Sequence, residues 1–349
     1  MSARRPTRSQ ARLFAQLIAE LTPEVHRAFM ASVTDLQSNV DWPRLLQNLE
    51  DMNIDGAVAA LNIDPAAWAE YSASVSDVYA KAGASTIAQI QMTGIAGIGT
   101  RFRMTDPRTE QWIRENVANM VVGISNEQIT SARAAIVAGF EKGAHPRTIA
   151  LDLVGRASGG VRSGGILGLD GPRAQRLQAV VTGMRTPEGV RSLVIEHLDG
   201  SVSLKYKVNK ATAQRILRAY HAGEAVPEKD RIISEKQYKN ALLKSRADTI
   251  AETETGNAVM SARGEAWHQV AESQGLDKSA IVKTWQHRRG ASKYHRPDHL
   301  AMSGRQVRGL DTPFVFPDGT NMQHSHDPKG GAKHTIRCGC DTEYKLMPR

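Results

Sequence analysis

Cysteine is scarce in this chain, which contains two cysteines among 349 residues. Two cysteines cannot supply the disulfide framework of a small secreted domain, so a buried core must stabilise the fold. Aromatic residues are also few, at 5% of the chain against 41% hydrophobic residues. The helical part must therefore pack mainly through leucine, isoleucine, valine and alanine.

Long apolar runs are missing as well. No stretch approaches the roughly 18 consecutive apolar residues of a membrane-spanning helix, so the sequence predicts no membrane segment. The basic start, MSARRPTRSQ, is not followed by the apolar centre of a signal peptide. With so little cysteine, the sequence predicts synthesis in a reducing cytoplasm.

Acidic residues are outnumbered by basic ones. The net charge is +9 and the isoelectric point about 9.6. This balance favours non-specific contact with an acidic partner, double-stranded DNA being the first candidate, although the same charge also serves solubility. The chain has no helix-turn-helix pattern, no aromatic–basic stripe and no zinc-finger spacing, which argues against sequence-specific recognition.

The chain divides by composition into a helical body and a short polar module. A mainly α N-terminal and central body with a β-hairpin is predicted, followed by a small α+β C-terminal module. Asp199-Gly200 is the predicted two-residue turn of that hairpin. Five regions are predicted: a flexible basic arm (1–10), a helical N-terminal region (11–156), a Gly-rich linker (157–171), a second helical region (172–272) and the C-terminal module (273–349). The second helical region contains the hairpin (193–208) and a long helix (234–271).

Histidine and cysteine are concentrated in the C-terminal module. Both cysteines and six of the eleven histidines lie between Lys283 and Leu346. His295 and His299 are four residues apart, which on a helix places both imidazoles on one face. Cys338 and Cys340 in an extended segment would direct both sulfurs to one side. The sequence therefore predicts a tetrahedral zinc site formed by these four residues.

Two alternatives remain for the same residues. The cysteines could simply be free and buried, or Cys338 or Cys340 could act as a nucleophile with His299 or His334 as its base. The chain has no Gly-x-Ser-x-Gly, no His-Glu-x-x-His and no phosphate-binding loop. We therefore predict that the protein is not an enzyme. Glu254 is predicted to form an internal ion pair with Arg263 or Arg296.

A set of short motifs extends from the long predicted helix through the C-terminal module. They are Thr253-Glu254-Thr255, Trp285, Arg296-Pro297-Asp298-His299, Gly304, Phe316, Asp327-Pro328 and Cys338-Gly339-Cys340. Together they resemble the C-terminal domain of the Mu F-like minor head proteins of tailed bacteriophages. The segments 124–154 and 168–174 resemble the central helical region of those proteins. The resemblance covers roughly residues 126–346 and is most specific from Thr249 onward.

Two positions depart from that family pattern. The family usually ends in Asn-Cys-Arg-Cys, where this chain has Arg337-Cys338-Gly339-Cys340. Members often carry an acidic residue and a further arginine before the Arg-Pro pair, and Ser292 and Tyr294 take those places here. If those polar groups have a chemical role in the family, this chain has lost it.

The resemblance implies a virion protein of the capsid interior or portal vertex, synthesised in the cytoplasm of a bacterial host. Such a protein enters the procapsid near the portal and supports head assembly, DNA packaging or DNA delivery. Its implied partners are the portal, the scaffold or the major capsid protein. The resemblance implies no catalytic reaction. Related domains are fused to toxins, so the alternative is a genome-associated nuclease or toxin-like transferase that uses the His/Cys-rich module. The implied structural residues are Glu254, Trp285, Arg296, Pro297, His299, Gly304, Asp327 and Pro328.

Overall fold

The computed structural model of the protein describes residues 8–158, 161–288 and 295–347. The described chain is mainly helical, as the sequence predicts. The helices are α1 (Arg8–Ser38), α2 (Trp42–Glu50), α3 (Ile54–Ala59), α4 (Ala69–Met92), α5 (Pro107–Trp112), α6 (Ala118–Glu141), α7 (Pro146–Val154), α8 (Gly171–Gly183), α9 (Pro187–Ser192), α10 (Lys210–Ala222), α11 (Glu228–Ser273), α12 (Pro297–Met302) and α13 (Gly331–Thr335).

The strands are short and form small antiparallel sheets. Two strand pairs precede the C-terminal module, and a three-stranded sheet of order β6-β5-β9 and a further pair lie within it. The strands are β1 (Arg156–Ser158), β2 (Val161–Ser163), β3 (Val194–Glu196), β4 (Val202–Leu204), β5 (Ile281–His287), β6 (Gln306–Arg308), β7 (Phe314–Val315), β8 (Asn321–Met322) and β9 (Cys340–Leu346). The prediction of a small β-containing C-terminal module is thus confirmed.

The described chain forms two compact units. The first contains residues up to 29, 69–120 and from 248 onward, and the second contains 30–68 and 121–247. Three of the four boundaries fall inside α1, α6 and α11, and the fourth lies directly before α4. Each unit therefore combines distant chain segments, whereas the division predicted from composition used consecutive ones. No helix of the described ranges has both the length and the apolar character needed to cross a membrane.

Several helices begin at a capping side chain followed by proline. The carboxylates of Asp106 and Asp170 accept backbone N–H groups at the starts of α5 and α8, and Thr186 does the same for α9. Each cap satisfies an amide that has no partner within its own helix, and proline suits the first turn because its missing N–H is not needed there. The long predicted helix 234–271 is confirmed as α11, which begins six residues earlier, at Glu228.

The Gly-rich segment predicted as a linker is instead part of the second unit's core. Residues 156–158 pair with 161–163, and residues 164–169 are buried. Gln128 holds this segment, donating to the Leu169 carbonyl at 2.6 Å and accepting from the Gly168 amide at 2.7 Å. A Cβ at Gly165 would lie 2.4 Å from the Gly155 nitrogen. Glycine therefore serves close backbone approach here rather than flexibility.

The hairpin predicted within 193–208 is confirmed, but its turn is longer than two residues. Val194 pairs with Leu204 and Glu196 with Val202. The His197 amide donates to the Ser201 carbonyl at 2.9 Å, and Gly200 has a φ of 78°. Three residues therefore separate the last bonded pair, with glycine in the left-handed position that such a loop requires.

The predicted basic arm comprises residues 1–10. Residues 1–7 lie outside the described residues, and residues 8–10 are the first residues of α1.

The core of the first unit lies between helices and the three-stranded sheet. Trp267 of α11 stacks on Tyr344 of β9, with ring centroids 6.1 Å apart. The buried members of this cluster come from α4, the loop after it, α11, β5, β9 and Leu310: Ile87, Ile90, Ala96, Ala266, Trp267, Val270, Ala271, Ile281, Leu310 and Tyr344. Burial of this apolar surface is what fixes the sheet on α11.

A buried ion pair joins α11 to β9. Arg263 Nη1 lies 3.2 Å from Asp341 Oδ1, and their side chains are 4% and 1% exposed. Arg288 contacts the other oxygen of Asp341 at 3.2 Å. The predicted pairing of Glu254 with Arg263 or Arg296 is therefore not the arrangement found. Glu254 instead accepts a hydrogen bond from Asn257, and burial raises its pKa.

Replacing Arg263 should destabilise the first unit strongly. In Arg263→Met the Asp341 carboxylate stays buried with Arg288 as its remaining cation, so we expect a loss of about 2–4 kcal/mol in urea unfolding. Lys278→Met is the matched control, because the Lys278–Glu272 pair is partly exposed and should contribute less than about 1 kcal/mol. Equal losses in the two variants would contradict a special role for the buried pair.

Asp152 in the second unit should make stability depend on pH. Burial, reinforced by the nearby Glu235 carboxylate, raises the pKa of Asp152 to about 6 from 3.8. The folded state therefore keeps this proton to higher pH than the unfolded state, and stability is lost as pH rises through 6. Asp152→Asn should be more stable than the parent by about 1–2 kcal/mol at pH 7.5, with little difference at pH 4. A constant difference across this range in chemical denaturation would refute the assignment.

Candidate metal centre

Three of the four predicted metal ligands lie together in the C-terminal module. His299 Nδ1 is 3.3 Å from Cys340 Sγ and 3.5 Å from Cys338 Sγ. The ligand atoms of these three residues all lie within 4.8 Å of one another. Their exposed fractions are 1% for His299, 8% for Cys338 and 2% for Cys340. Because imidazole nitrogen and thiolate sulfur are transition-metal ligands, this group could bind a metal ion.

Local structure explains why these side chains converge. α12 begins at Pro297, whose fixed φ suits a first turn, and its single turn and a half places His299 against the sheet. Cys340 is the first residue of β9, and Cys338 lies two residues before it, outside the strand. The Cys340 amide donates to Cys338 Sγ at 3.4 Å. Both sulfurs lie near His299 Nδ1, although only Cys340 belongs to the strand.

The two thiols have opposite acidities. A hydrogen bond from the Cys340 thiol holds the pKa of Cys338 well below its usual range despite burial. The hydrogen bond to Cys338, together with burial, raises the pKa of Cys340. The lowered pKa favours the thiolate form of Cys338. A thiolate in this position is the form that binds metal.

A second histidine and a carboxylate stand behind His299. His299 Nε2 lies 3.1 Å from His334 Nδ1, and His334 Nε2 lies 3.0 Å from Asp318 Oδ2. The two imidazoles are stacked, with an interplanar angle of 10°. Hydrogen bonds from Lys333 and from other groups hold the pKa of the Asp318 carboxyl well below its usual range. The group is therefore a carboxylate, which can only accept a hydrogen bond. When both rings are neutral, each donates from Nε2, and the lone pair of His299 Nδ1 then faces the sulfurs.

The cluster sits in an apolar shell centred on Trp285. The Trp285 ring makes edge contacts with His299, Phe314 and Phe316 at centroid distances of 5.5, 5.4 and 5.0 Å. The buried cluster comprises Trp285, Met302, Phe314, Phe316, Met322, Cys338 and Cys340. Such a shell keeps water away from the sulfurs and strengthens electrostatic interactions among the polar atoms.

His295, the fourth predicted ligand, is outside this group. α12 begins at Pro297, so His295 precedes the helix and does not share a helical face with His299. Its Nδ1 instead lies 3.0 Å from Nε2 of His287, whose own Nδ1 is 3.4 Å from Cys340 Sγ. The sequence reasoning missed His287. Strand alternation from Trp285 would have pointed to it, since residues two apart on a strand share a face.

The other residues that carry the family resemblance have internal structural contacts. Thr253 accepts a hydrogen bond from the Arg337 amide, and Arg296 donates to the Ile336 carbonyl. Gly304 has a φ of 84°, which favours glycine. Asp327 caps a short 3-10 helix, with Pro328 as its first residue. Ser292 and Tyr294, where the chain departs from the family pattern, lie outside the described residues.

An open polar cleft lies elsewhere in the first unit. It has a volume of about 370 Å³ and is bordered by α5, α11 and the C-terminal module, including Arg108, Glu265, Lys283 and His324. Lys283 donates to the carbonyls of Leu310 and Gln323 and to the Gln323 side chain, and burial lowers its pKa to about 8. His299, Cys338 and Cys340 do not line this cleft.

Comparison with known proteins does not extend this picture. No protein-family model matches the chain. No curated protein and no solved structure matches it either.

The His334–Asp318 pair should influence metal affinity without touching the metal. Asp318→Asn removes the charged acceptor behind His334, and we expect the affinity for Co²⁺ or Zn²⁺ to fall about 10–100-fold in chelator competition. Asp298→Asn is the matched control, since Asp298 pairs with Lys333, as Asp318 does, but forms no ion pair with His334 among the described residues. Equal metal affinities in the two variants would contradict an influence of Asp318 on metal binding through His334.

Proposed function

We propose that the chain is a minor head protein of a tailed phage or prophage, incorporated into the procapsid near the portal. One observation carries the proposal. Five residues of the pattern that resembles the Mu F-like family lie together in one buried cluster, in which Trp285 contacts both His299 and Phe316 and the two cysteines are also members. Residues shared with a family of assembly proteins thus have architectural contacts here.

The burial of the His/Cys cluster supports a structural role over a catalytic one. His299 is 1% exposed and its Nδ1 faces two buried sulfurs. A hydrolytic or transferase site needs a reacting atom that substrate can reach. The cleft that opens to solvent is lined by other side chains. A nuclease or toxin-like transferase that uses this cluster is therefore less well supported than a module for assembly.

We further propose that the ion bound in this module is zinc. Two sulfurs and an imidazole form a donor set that suits zinc better than the hard cations, which prefer oxygen. Such an ion would hold α12 against the first residues of β9. Chelation should then destabilise the module, because metal binding contributes directly to folding.

The implied partners are the portal, the scaffold or the major capsid protein. A net charge of +9 also suits a position close to packaged DNA, where contact with phosphates needs no base recognition. These contacts would be made inside the particle, after synthesis in the bacterial cytoplasm. The proposal assigns the chain to head assembly, packaging or delivery of DNA.

The test is incorporation into particles. The portal, scaffold and major capsid genes from the genome that encodes the chain are co-expressed with it, and procapsids are isolated on a gradient. We expect the chain to sediment with procapsids when the portal is present and to remain at the top when the portal is omitted. Mature particles should contain it by mass spectrometry.

Two variants make this test specific to the module. Trp285→Ala removes the centre of the apolar shell at a cost of about 3–5 kcal/mol, so incorporation should be lost. Leu198→Ser is the control, since Leu198 is fully exposed at the hairpin tip of the other unit. A chain that is absent from procapsids and from mature particles would overturn the proposed function. Incorporation of Trp285→Ala at the parental level would show that the module is not the element used.

A further inference from the structure

His287 lies directly opposite Cys340 in the three-stranded sheet. The antiparallel register of β5 and β9 pairs these two residues. Side chains of directly paired residues project from the same face of a sheet, with Cβ atoms about 4.5–5.5 Å apart. The His287 Nδ1 atom is 3.4 Å from Cys340 Sγ. The backbone itself therefore brings a second imidazole to the sulfur of Cys340.

The nitrogen–sulfur distances around this point match those of a tetrahedral metal site. With zinc–sulfur bonds of about 2.3 Å and zinc–nitrogen bonds of about 2.0–2.1 Å, adjacent nitrogen and sulfur ligands are about 3.6 Å apart. The three observed separations are 3.3 Å and 3.5 Å from His299 and 3.4 Å from His287. His287 is not part of the group whose ligand atoms all lie within 4.8 Å of one another, so coordination by His287 requires its ring to move closer to the other ligands.

The two histidines are held in the same way. His299 directs Nδ1 at the sulfurs and Nε2 at His334, and His287 directs Nδ1 at Cys340 and Nε2 at His295. A histidine that binds metal usually donates its other ring N–H to a neighbouring acceptor, which fixes both tautomer and orientation. His295 Nδ1, 3.0 Å from His287 Nε2, is positioned as that acceptor.

We propose that His287 is the fourth ligand of a closed Cys₂His₂ zinc site with His299, Cys338 and Cys340, and that His295 is a positioning residue for His287. This inference rests on the zinc binding proposed above and is independent of the virion role. Four protein ligands leave no coordination position for water or substrate, so the site is structural. The ion would join β5, α12 and the start of β9 at one point.

The experiment uses the full chain loaded with Co²⁺ and, separately, with Zn²⁺. We expect one ion per chain, visible absorption typical of tetrahedral Co²⁺, and a first shell of two sulfurs and two nitrogens by zinc X-ray absorption. His287→Ala should lower the affinity at least about 100-fold, with loss of one histidine signature from the first shell. His221→Ala, at an exposed position of the other unit, should leave both readouts unchanged.

A second variant distinguishes the loss of a metal ligand from the loss of the folded structure. His287→Cys keeps a ligand at this position, so it should bind one ion and increase the sulfur-to-cobalt charge-transfer absorption by the contribution of a third thiolate. This gain requires the side chain at position 287 to reach the metal. His295→Ala should weaken binding about 10–100-fold with an unchanged first shell, and His295→Asn, which retains an acceptor, should recover part of that loss.

The possible outcomes distinguish the assignment of His287 from the zinc proposal on which it rests. Parental affinity and spectrum in His287→Ala, or no added sulfur in His287→Cys, would overturn the assignment of His287 while leaving zinc binding intact. A parent chain that binds neither ion would overturn the zinc proposal and this one together. Neither result bears on incorporation into procapsids, which is measured separately.

Discussion

The antiparallel pairing of β5 with β9 is the constraint on which the C-terminal module depends. It aligns seven residue pairs, from Ile281 with Leu346 to His287 with Cys340. Trp285, on one face of this ladder, lies in the apolar shell. Asp341, on β9, forms the buried ion pair with Arg263. Because side chains alternate, a slip of one residue would turn all of these groups to the opposite face. The candidate metal centre, the core and the buried ion pair thus follow from one register.

Much of this arrangement could be predicted from local signals. The long helix and the hairpin near Asp199 follow from periodicity and turn chemistry. The grouping of His299 with Cys338 and Cys340 follows from residue type, because histidine and cysteine bind transition metals. The choice of His295 as a ligand failed because helical spacing was applied to a residue that precedes the helix start at Pro297. His287 is more than fifty residues from Cys340, and only the pairing of two strands reveals their proximity.

Glycine was the other source of error, and for a related reason. Composition cannot distinguish a glycine that confers flexibility from one that permits close packing. In the second unit, Gly165 lies against the backbone of Gly155, so that segment is buried rather than a linker. Gly256 on α11 is similar, since a Cβ there would lie 2.4 Å from the ring of His326. In each case the information resides in a distant partner that the local sequence does not specify.

The separation of β5 and β9 along the chain has a consequence for the order of events during synthesis. When β5 leaves the ribosome, its partner strand has not yet been made, and β6 is the first neighbour available to it. Trp285, Lys283 and Ile281 must wait for Cys340–Leu346 before their face of the sheet is complete. The helical segments need no such delay, because their hydrogen bonds are local. The β5–β9 ladder can therefore form only after Leu346 has been synthesised, and until then β5 can pair only with β6.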